Sequence, residues 1–169
     1  MAKILIIEDN IEHYRFFHSQ LSPKHEVYPK NERAFRLLRS QLSKMYSVGN
    51  TTSVVKKAAK AIAEIIENAL PDLYIMDYQL MEGEDGCNGL KFTENFILKS
   101  RILYVTGIDS HKTINKINAF SKDSKSANIM NVLLKEDLTD EFADAFKNDV
   151  DELLSKGMSN DQPLNVANL

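Results

Sequence analysis

Residues 71–80 read PDLYIMDYQL, and this stretch decides the fold. Its short apolar run from Asp72 to Met76 predicts a β-strand, because continuous runs of this length are typical of strands buried on both faces of a parallel sheet. Pro71 ends the helix predicted before the strand. Asp77 follows directly after the strand, so an ionisable side chain is expected at its carboxyl end.

Three further segments have the same form, an apolar run that ends in polar residues. They are KILIIEDN at residues 3–10, RILYVTG at 101–107 and NVLLK at 131–135, the last belonging to a strand predicted from residue 129. A weaker short strand is predicted at 25–28. Because helical segments separate these strands, we predict a doubly wound α/β fold with five parallel strands and helices on both faces.

The predicted helices follow apolar residues that recur every three or four positions. They cover about residues 11–21, 31–45, 53–70, 90–98, 110–120 and 140–156. Asn10, Asn31 and Thr139 are expected to cap three of them, because short polar side chains accept hydrogen bonds from the free amides of a first turn. A polar loop is predicted at 121–128.

The stretch from about residue 31 to 70 holds two helices between successive strands, so we predict an extra helix in the long connection before the third strand. We assign residues 1–155 to one domain containing this insertion, and 156–169 to a flexible tail, because the tail is polar and lacks periodicity.

Composition narrows the function classes. The 169 residues carry a net charge of −3 and show no basic cluster, which gives no electrostatic reason to expect nucleic acid. No apolar run approaches the roughly 20 residues of a membrane span, and we expect a cytoplasmic protein. The single cysteine excludes an internal disulfide, and the four histidines lack metal-ligand spacing, so we interpret them as surface or partly buried side chains.

Polar side chains at the predicted strand ends should converge, because ligand sites in doubly wound sheets form outside the carboxyl ends of the strands. The strand ends supply Glu8 and Asp9, then Asp77, Thr106 and Lys135. Three neighbouring carboxylates repel one another, and Mg²⁺ prefers such oxygen ligands. With the ion bound, Asp77 can stay ionised and attack phosphorus, while Lys135 and Thr106 stabilise the transferring phosphoryl group.

Each segment alone is ordinary, but their order and strand-end placement together resemble the response-regulator receiver domain of two-component phosphorelays, over about residues 3–154. The resemblance implies the flavodoxin-like receiver fold, with Asp77 as the phosphoacceptor. It implies Asp9 as a direct Mg²⁺ ligand and Glu8 as a ligand through water. The backbone carbonyl of Gln79 would complete the protein's share of the coordination.

The resemblance also implies that Thr106 is the switch hydroxyl and that Lys135 pairs with Asp77 or its phosphate. The phosphoryl donor would be a phosphohistidine on a sensor histidine kinase or a phosphotransfer protein. We expect a stand-alone signalling protein rather than an enzyme, with output through protein–protein contacts. Ile108 is apolar where a polar residue could assist water, so slow self-dephosphorylation is expected.

Several positions depart from the receiver pattern. Glu136 follows Lys135 where proline is usual, and Val132 stands where an aromatic switch residue is usual. The stretches between Asp9 and Asp77 and between Thr106 and Lys135 are longer than usual, and the proline common after the acceptor is missing. An unphosphorylated interaction module therefore remains an alternative. A phosphohydrolase with an aspartyl nucleophile is disfavoured, because Gln79 replaces its general acid.

Two other features leave alternatives open. The apolar residues of the helix at 53–70 spread around most of its circumference, so either the core or a second subunit could cover them, and we hypothesise a homodimer through residues 31–70. Glu82, Glu84 and Asp85 are interpreted as a solvated loop, because their spacing matches no calcium loop.

Overall fold

The computed structural model describes residues 1–81, 88–97, 99–107, 111–123, 128–135 and 138–157, with only the backbone described at 121–123. Strands and helices alternate along these residues, except that two helices separate the second strand from the third. The elements are β1 (Lys3–Ile7), α1 (Ile11–Leu21), β2 (Glu26–Tyr28), α2 (Glu32–Tyr46), α3 (Thr52–Ala69), β3 (Leu73–Asp77), α4 (Asn88–Phe96), β4 (Arg101–Thr106), α5 (His111–Asp123), β5 (Ile129–Leu134) and α6 (Asp140–Ser155).

The strands form one sheet in the order β2-β1-β3-β4-β5, and every neighbouring pair is parallel. This confirms the predicted five-stranded parallel sheet. The register pairs Ile7 with Met76 and Asp77 with Val105. The residues that follow β1 therefore lie level with the end of β3, in the middle of the sheet.

Both faces of the sheet are buried, as continuous apolar strands require. On one face Leu5, Ile7 and Met76 pack against apolar side chains from α2, α3, α4 and α5. On the other face Ile4, Ile6 and Ile75 pack mainly against α1 and α6. Successive residues of each central strand thus contribute to the two cores in turn, which fixes the register of the sheet.

The long connection contains α2 and α3, which pack against each other as well as against the sheet. This confirms the extra helix predicted before the third strand. α3 ends at Ala69, and Leu70 caps it in the left-handed conformation at φ 47° before Pro71 starts the turn into β3. Val54, Val55 and Ile65 of α3 are only half-buried by this packing.

The predicted caps are confirmed, because Asn10, Asn31 and Thr139 each accept a backbone amide of the following helix. The loop predicted from residue 121 is wrong at its start, since α5 continues to Asp123. No glycine or proline stands there to stop the helix, and serine, lysine and aspartate reduce helix stability only moderately. The rest of that predicted loop includes 124–127, outside the described residues.

The division into a domain and a tail stays a prediction, since 158–169 also lie outside the described residues. None of the helices in the described part of the chain is both long and apolar enough to cross a membrane.

Candidate functional site

Three carboxylates meet at the carboxyl edge of the sheet, as predicted. Glu8 and Asp9 follow β1, and Asp77 ends the adjacent β3. One carboxylate oxygen from each of the three lies within 4.8 Å of the other two. Glu8 and Asp77 are buried, with exposed fractions of 1% and 7%, and Asp9 is half-buried. Such a cluster is strongly repulsive unless protons or a cation balance its charge.

Glu8 is held from two sides. Its Oε1 accepts hydrogen bonds from the backbone amides of Asp9 and Asn10, both at 2.9 Å. Its Oε2 is buried without a hydrogen bond, 3.4 Å from His13 Nδ1 and 3.6 Å from Lys135 Nζ. Burial would raise the pKa of Glu8, but His13, Lys135 and the Asn10 amide outweigh burial and lower it. Glu8 therefore carries the negative charge of the pair that it forms with Asp77.

The pKa of Asp77 is shifted in the opposite direction to that of Glu8. Burial and the charge of Glu8 raise the pKa of Asp77 to about 8, although Lys135 and the Gln79 amide oppose the rise. That amide donates a hydrogen bond of 3.0 Å to Asp77 Oδ1. In the metal-free protein Asp77 is therefore mainly protonated at neutral pH. A divalent cation beside it would favour the ionised form.

Asp9 links the first strand to the loop that follows the third. Its Oδ2 accepts a hydrogen bond of 3.1 Å from the amide of Met81. Burial and the neighbouring Glu8 raise the pKa of Asp9. Met81 has a φ of 52°, and its carbonyl accepts a hydrogen bond from the side chain of Asn88. These contacts fix the backbone just beyond Asp77, including Gln79, whose carbonyl as a metal ligand stays a prediction.

Gly89 lies where the first turn of α4 touches the backbone around Asp77. A Cβ atom at this position would lie 2.5 Å from the Asp77 carbonyl oxygen and 3.0 Å from Tyr78 Cα. The Gly89 amide also donates to the Tyr78 carbonyl at 3.1 Å. The hydroxyl of Thr93 donates to the Gly89 carbonyl and shares a hydrogen bond of 2.6 Å with the hydroxyl of Tyr104. The packing thus leaves room only for glycine behind Asp77.

Thr106 and Lys135 also reach this edge. Thr106 ends β4 and is fully buried, and its carbonyl accepts the backbone amide of Lys135 at 2.7 Å. Lys135 Nζ is largely buried and forms its ion pair with Glu8 rather than with Asp77, among the described residues. Its charge is nevertheless near enough to lower the pKa of Asp77. The roles of Thr106 and Lys135 in switching stay predictions.

His13 is a component that the sequence did not reveal. Its Nδ1 lies 2.9 Å from Lys135 Nζ, and the histidine is only partly buried. The same Nδ1 lies 3.4 Å from Glu8 Oε2, so the imidazole sits between the lysine and the glutamate. The sequence feature that could have indicated its role is its position in the first turn of α1, a helix that begins just after Glu8 and Asp9. From spacing alone, His13 was predicted to be only a surface or partly buried side chain.

The donor set fits Mg²⁺, which takes oxygen ligands and retains several waters. The buried, unbonded Oε2 of Glu8 is the observation that favours an ion, since a buried acceptor without a donor is unfavourable. Val132 is half-buried against the core on the α2–α5 face. The predictions that concern Ile108, Glu136 and the acidic residues at 82–85 lie outside the described residues.

Comparisons with known proteins identify solved structures that share this fold. No family model matches the sequence, and no curated protein matches it significantly. The activated receiver domain of RstA from Klebsiella pneumoniae is similar in structure, with a TM-score of 0.50, 16% identity, and coverage of 90% of this chain and 98% of that one. The response regulator domain of CheB from Thermotoga maritima has a TM-score of 0.54, 12% identity, and coverage of 94% and 99%. This chain therefore has the receiver-like, flavodoxin-like fold predicted for it.

Proposed function

We propose that this receiver-fold chain is a phosphoacceptor signalling protein of the response-regulator type. Asp77 would accept a phosphoryl group from a phosphohistidine on a sensor kinase or phosphotransfer protein, with Mg²⁺ as cofactor. The observation that supports this most strongly is the convergence of Glu8, Asp9 and Asp77 at the same sheet edge as Lys135. We expect it to act in the cytoplasm, as its sequence predicts.

Asp77 is the best nucleophile among the three carboxylates. Glu8 uses one oxygen for two amides, and Asp9 accepts the Met81 amide. The Gln79 amide orients Asp77 through Oδ1, which leaves Oδ2 for attack. A bond then forms between Oδ2 and phosphorus as the phosphorus–nitrogen bond of the donor breaks. The donor nitrogen keeps the electron pair and takes up a proton.

Asp9 and Asp77 would hold Mg²⁺ directly, with Glu8 bound through water and the Gln79 carbonyl as a further ligand. The ion would neutralise charge on the phosphoryl oxygens. Lys135 would move its ammonium from His13 toward one of these oxygens, and Thr106 would donate its hydroxyl to another.

Movement of Thr106 and Lys135 would alter the surfaces formed by the segments that follow them, so output through protein–protein contacts is the natural consequence. The apolar Ile108 leads us to expect slow self-dephosphorylation. A lifetime of only seconds for phosphorylated Asp77, measured by loss of label from the isolated protein, would contradict that expectation.

Incubation with a small phosphodonor and Mg²⁺ tests the proposal by intact-mass spectrometry. We expect the mass of one phosphoryl group in the wild type and in Asp72→Asn, and none in Asp77→Asn. Asp72 is a suitable control because its carboxylate lies at the opposite end of the third strand, where it accepts the Lys3 amide. Labelling that persists in Asp77→Asn, or that is absent from the wild type, would contradict the proposal.

An unphosphorylated interaction module is the second candidate. It is favoured by the ion pair that commits Lys135 to Glu8 and by Val132 in place of an aromatic switch residue. The same mass measurement separates the two functions, since this module would gain no phosphoryl group. The phosphohydrolase alternative remains disfavoured, because Gln79 cannot act as a general acid.

A further inference from the structure

A groove outside the acidic site lies between helix α2 and the loop that follows β3. Its volume is about 390 Å³, and its lining combines three cationic side chains, two hydroxyls and one thioether: Arg36, Arg39, Lys44, Ser40, Ser43 and Met81. Most of the lining comes from one face of α2, so the groove runs along this helix. Helix α2 belongs to the long connection between the second and third strands.

The groove concentrates positive charge on an acidic protein. The four cations and one carboxylate of α2 give this helix a net charge of +3, whereas the whole chain carries −3. Arg36 has one loose ion pair, 3.9 Å from Glu32. Arg39 and Lys44 form no ion pair with any other described residue. Their charges are therefore available to an external anion.

The spacing of the cations indicates the shape of that anion. Arg36 and Lys44 are eight residues apart on a helix, which is about 12 Å along its axis. Carboxylates spaced along a chain match this row of cations better than one compact anion does. Leu37, an exposed apolar side chain of α2 at 59%, adjoins the cationic face, and Met81 contributes a half-buried one. A partner that carries apolar groups among its acidic groups would use both kinds of contact.

We propose that this groove docks an acidic segment of a protein partner, one in which apolar residues alternate with glutamate or aspartate. Charge complementarity would speed association and orient the partner. A segment docked on Met81 would lie beside the phosphoacceptor site, because the Met81 amide donates a hydrogen bond to the Asp9 carboxylate. The inference deepens the proposed signalling function by giving the chemistry of a partner, but the docking itself needs no phosphorylation.

The test uses fluorescence anisotropy with the full chain and a labelled peptide of Glu-Glu-Leu repeats. The groove variant R36E/R39E/K44E is compared with K56E/K57E/K60E, which makes the same charge change on three exposed lysines of α3. We expect the groove variant to weaken binding by about tenfold or more and the α3 variant by less than about threefold, since exposed ion pairs contribute modestly and additively. A peptide of Gln-Gln-Leu repeats should not bind.

Circular dichroism confirms folding of each variant, and the neutral variant R36Q/R39Q/K44Q replaces the charge reversal if that one unfolds. Equal losses in the α2 and α3 variants would overturn the proposal, because binding would then reflect only overall charge. Tighter binding of a thymidine oligonucleotide than of the peptide would also overturn it. Asp77→Asn should keep peptide binding, so failure of the phosphorylation proposal and failure of this one give different results.

Discussion

Replacing Gly89 with alanine is the sharpest test of how the fold positions Asp77, the proposed phosphoacceptor. The new Cβ atom would lie 2.5 Å from the Asp77 carbonyl oxygen, about 0.9 Å inside the 3.4 Å at which ordinary contact begins. The atoms it meets are backbone of Asp77 and Tyr78, which cannot rotate away as a flexible side chain could. Either the start of α4 or the end of β3 must move.

The expected loss follows from two opposing effects. Overpacking in a well-filled interior destabilises by about 1–3 kcal/mol. Alanine in a helix recovers up to about 1 kcal/mol relative to glycine. The mid-values give a net loss of about 1.5 kcal/mol, which should lower the melting temperature by roughly 3–6 °C for a chain of this size. Because the displaced atoms belong to Asp77 itself, phosphorylation by a small donor should slow as well.

Gly107→Ala is the matched control for this substitution. Its Cβ atom would meet Gln79 Oε1 and the Lys135 carbonyl at 3.7 Å, which is ordinary contact. Gly107 also lies at the carboxyl edge of the sheet, directly after Thr106, so the comparison isolates the steric effect. We expect the control to melt within about 2 °C of the wild type. Equal melting temperatures and equal labelling rates for Gly89→Ala and the wild type would refute the reasoning.

Three further predictions concern charge and assembly. Because the pKa of Asp77 in the folded protein is about 8 and its ordinary value is 3.8, the metal-free wild type should lose stability relative to Asp77→Asn as the pH rises from about 4 toward 8. Melting curves in a chelator check this, and a difference that is constant with pH would contradict it. His13→Ala removes the contact with Lys135 and should lower the free energy of unfolding by about 1–2 kcal/mol in urea titrations, whereas the exposed His111→Ala should change it by less than about 0.5 kcal/mol. Equal effects of the two substitutions would show that the His13 contact is not stabilising. If residues 31–70 form a homodimer, light scattering at tens of micromolar should give twice the mass of the chain, and a monomeric mass would exclude the dimer at that concentration.

The sheet and most of the acidic site could be predicted from the sequence, because one physical rule determines both. Apolar runs such as KILII and LYIM form strands buried on two faces, and parallel strands bring their carboxyl ends to one edge. The residues after these runs therefore had to converge, whatever the lengths of the loops. Caps such as Asn10 are also local, so their prediction needs only a few neighbouring residues.

Other features of the site could not be predicted, because they depend on contacts between residues that are far apart in the sequence. The contact between His13 and Lys135 joins residues 122 positions apart, and it forms only once α1 has packed beside the sheet. The need for glycine at position 89 arises from the approach of α4 to the Asp77 carbonyl. The cationic groove likewise requires α2 to lie next to Met81. The end of α5 was misplaced because its last turn lacks any residue that stops a helix.

Because Asp77 is mainly protonated in the metal-free protein, the binding of Mg²⁺ proposed for this site should depend on pH. An ion that binds the ionised carboxylate must expel about one proton into solution at neutral pH, because the metal-free site holds that proton. The affinity for Mg²⁺ would then increase with pH, up to the pH at which Asp77 is ionised even in the metal-free protein. If Mg²⁺ is the cofactor as proposed, acidification would favour the ion-free site, and labelling by a phosphodonor would fall at a constant magnesium concentration.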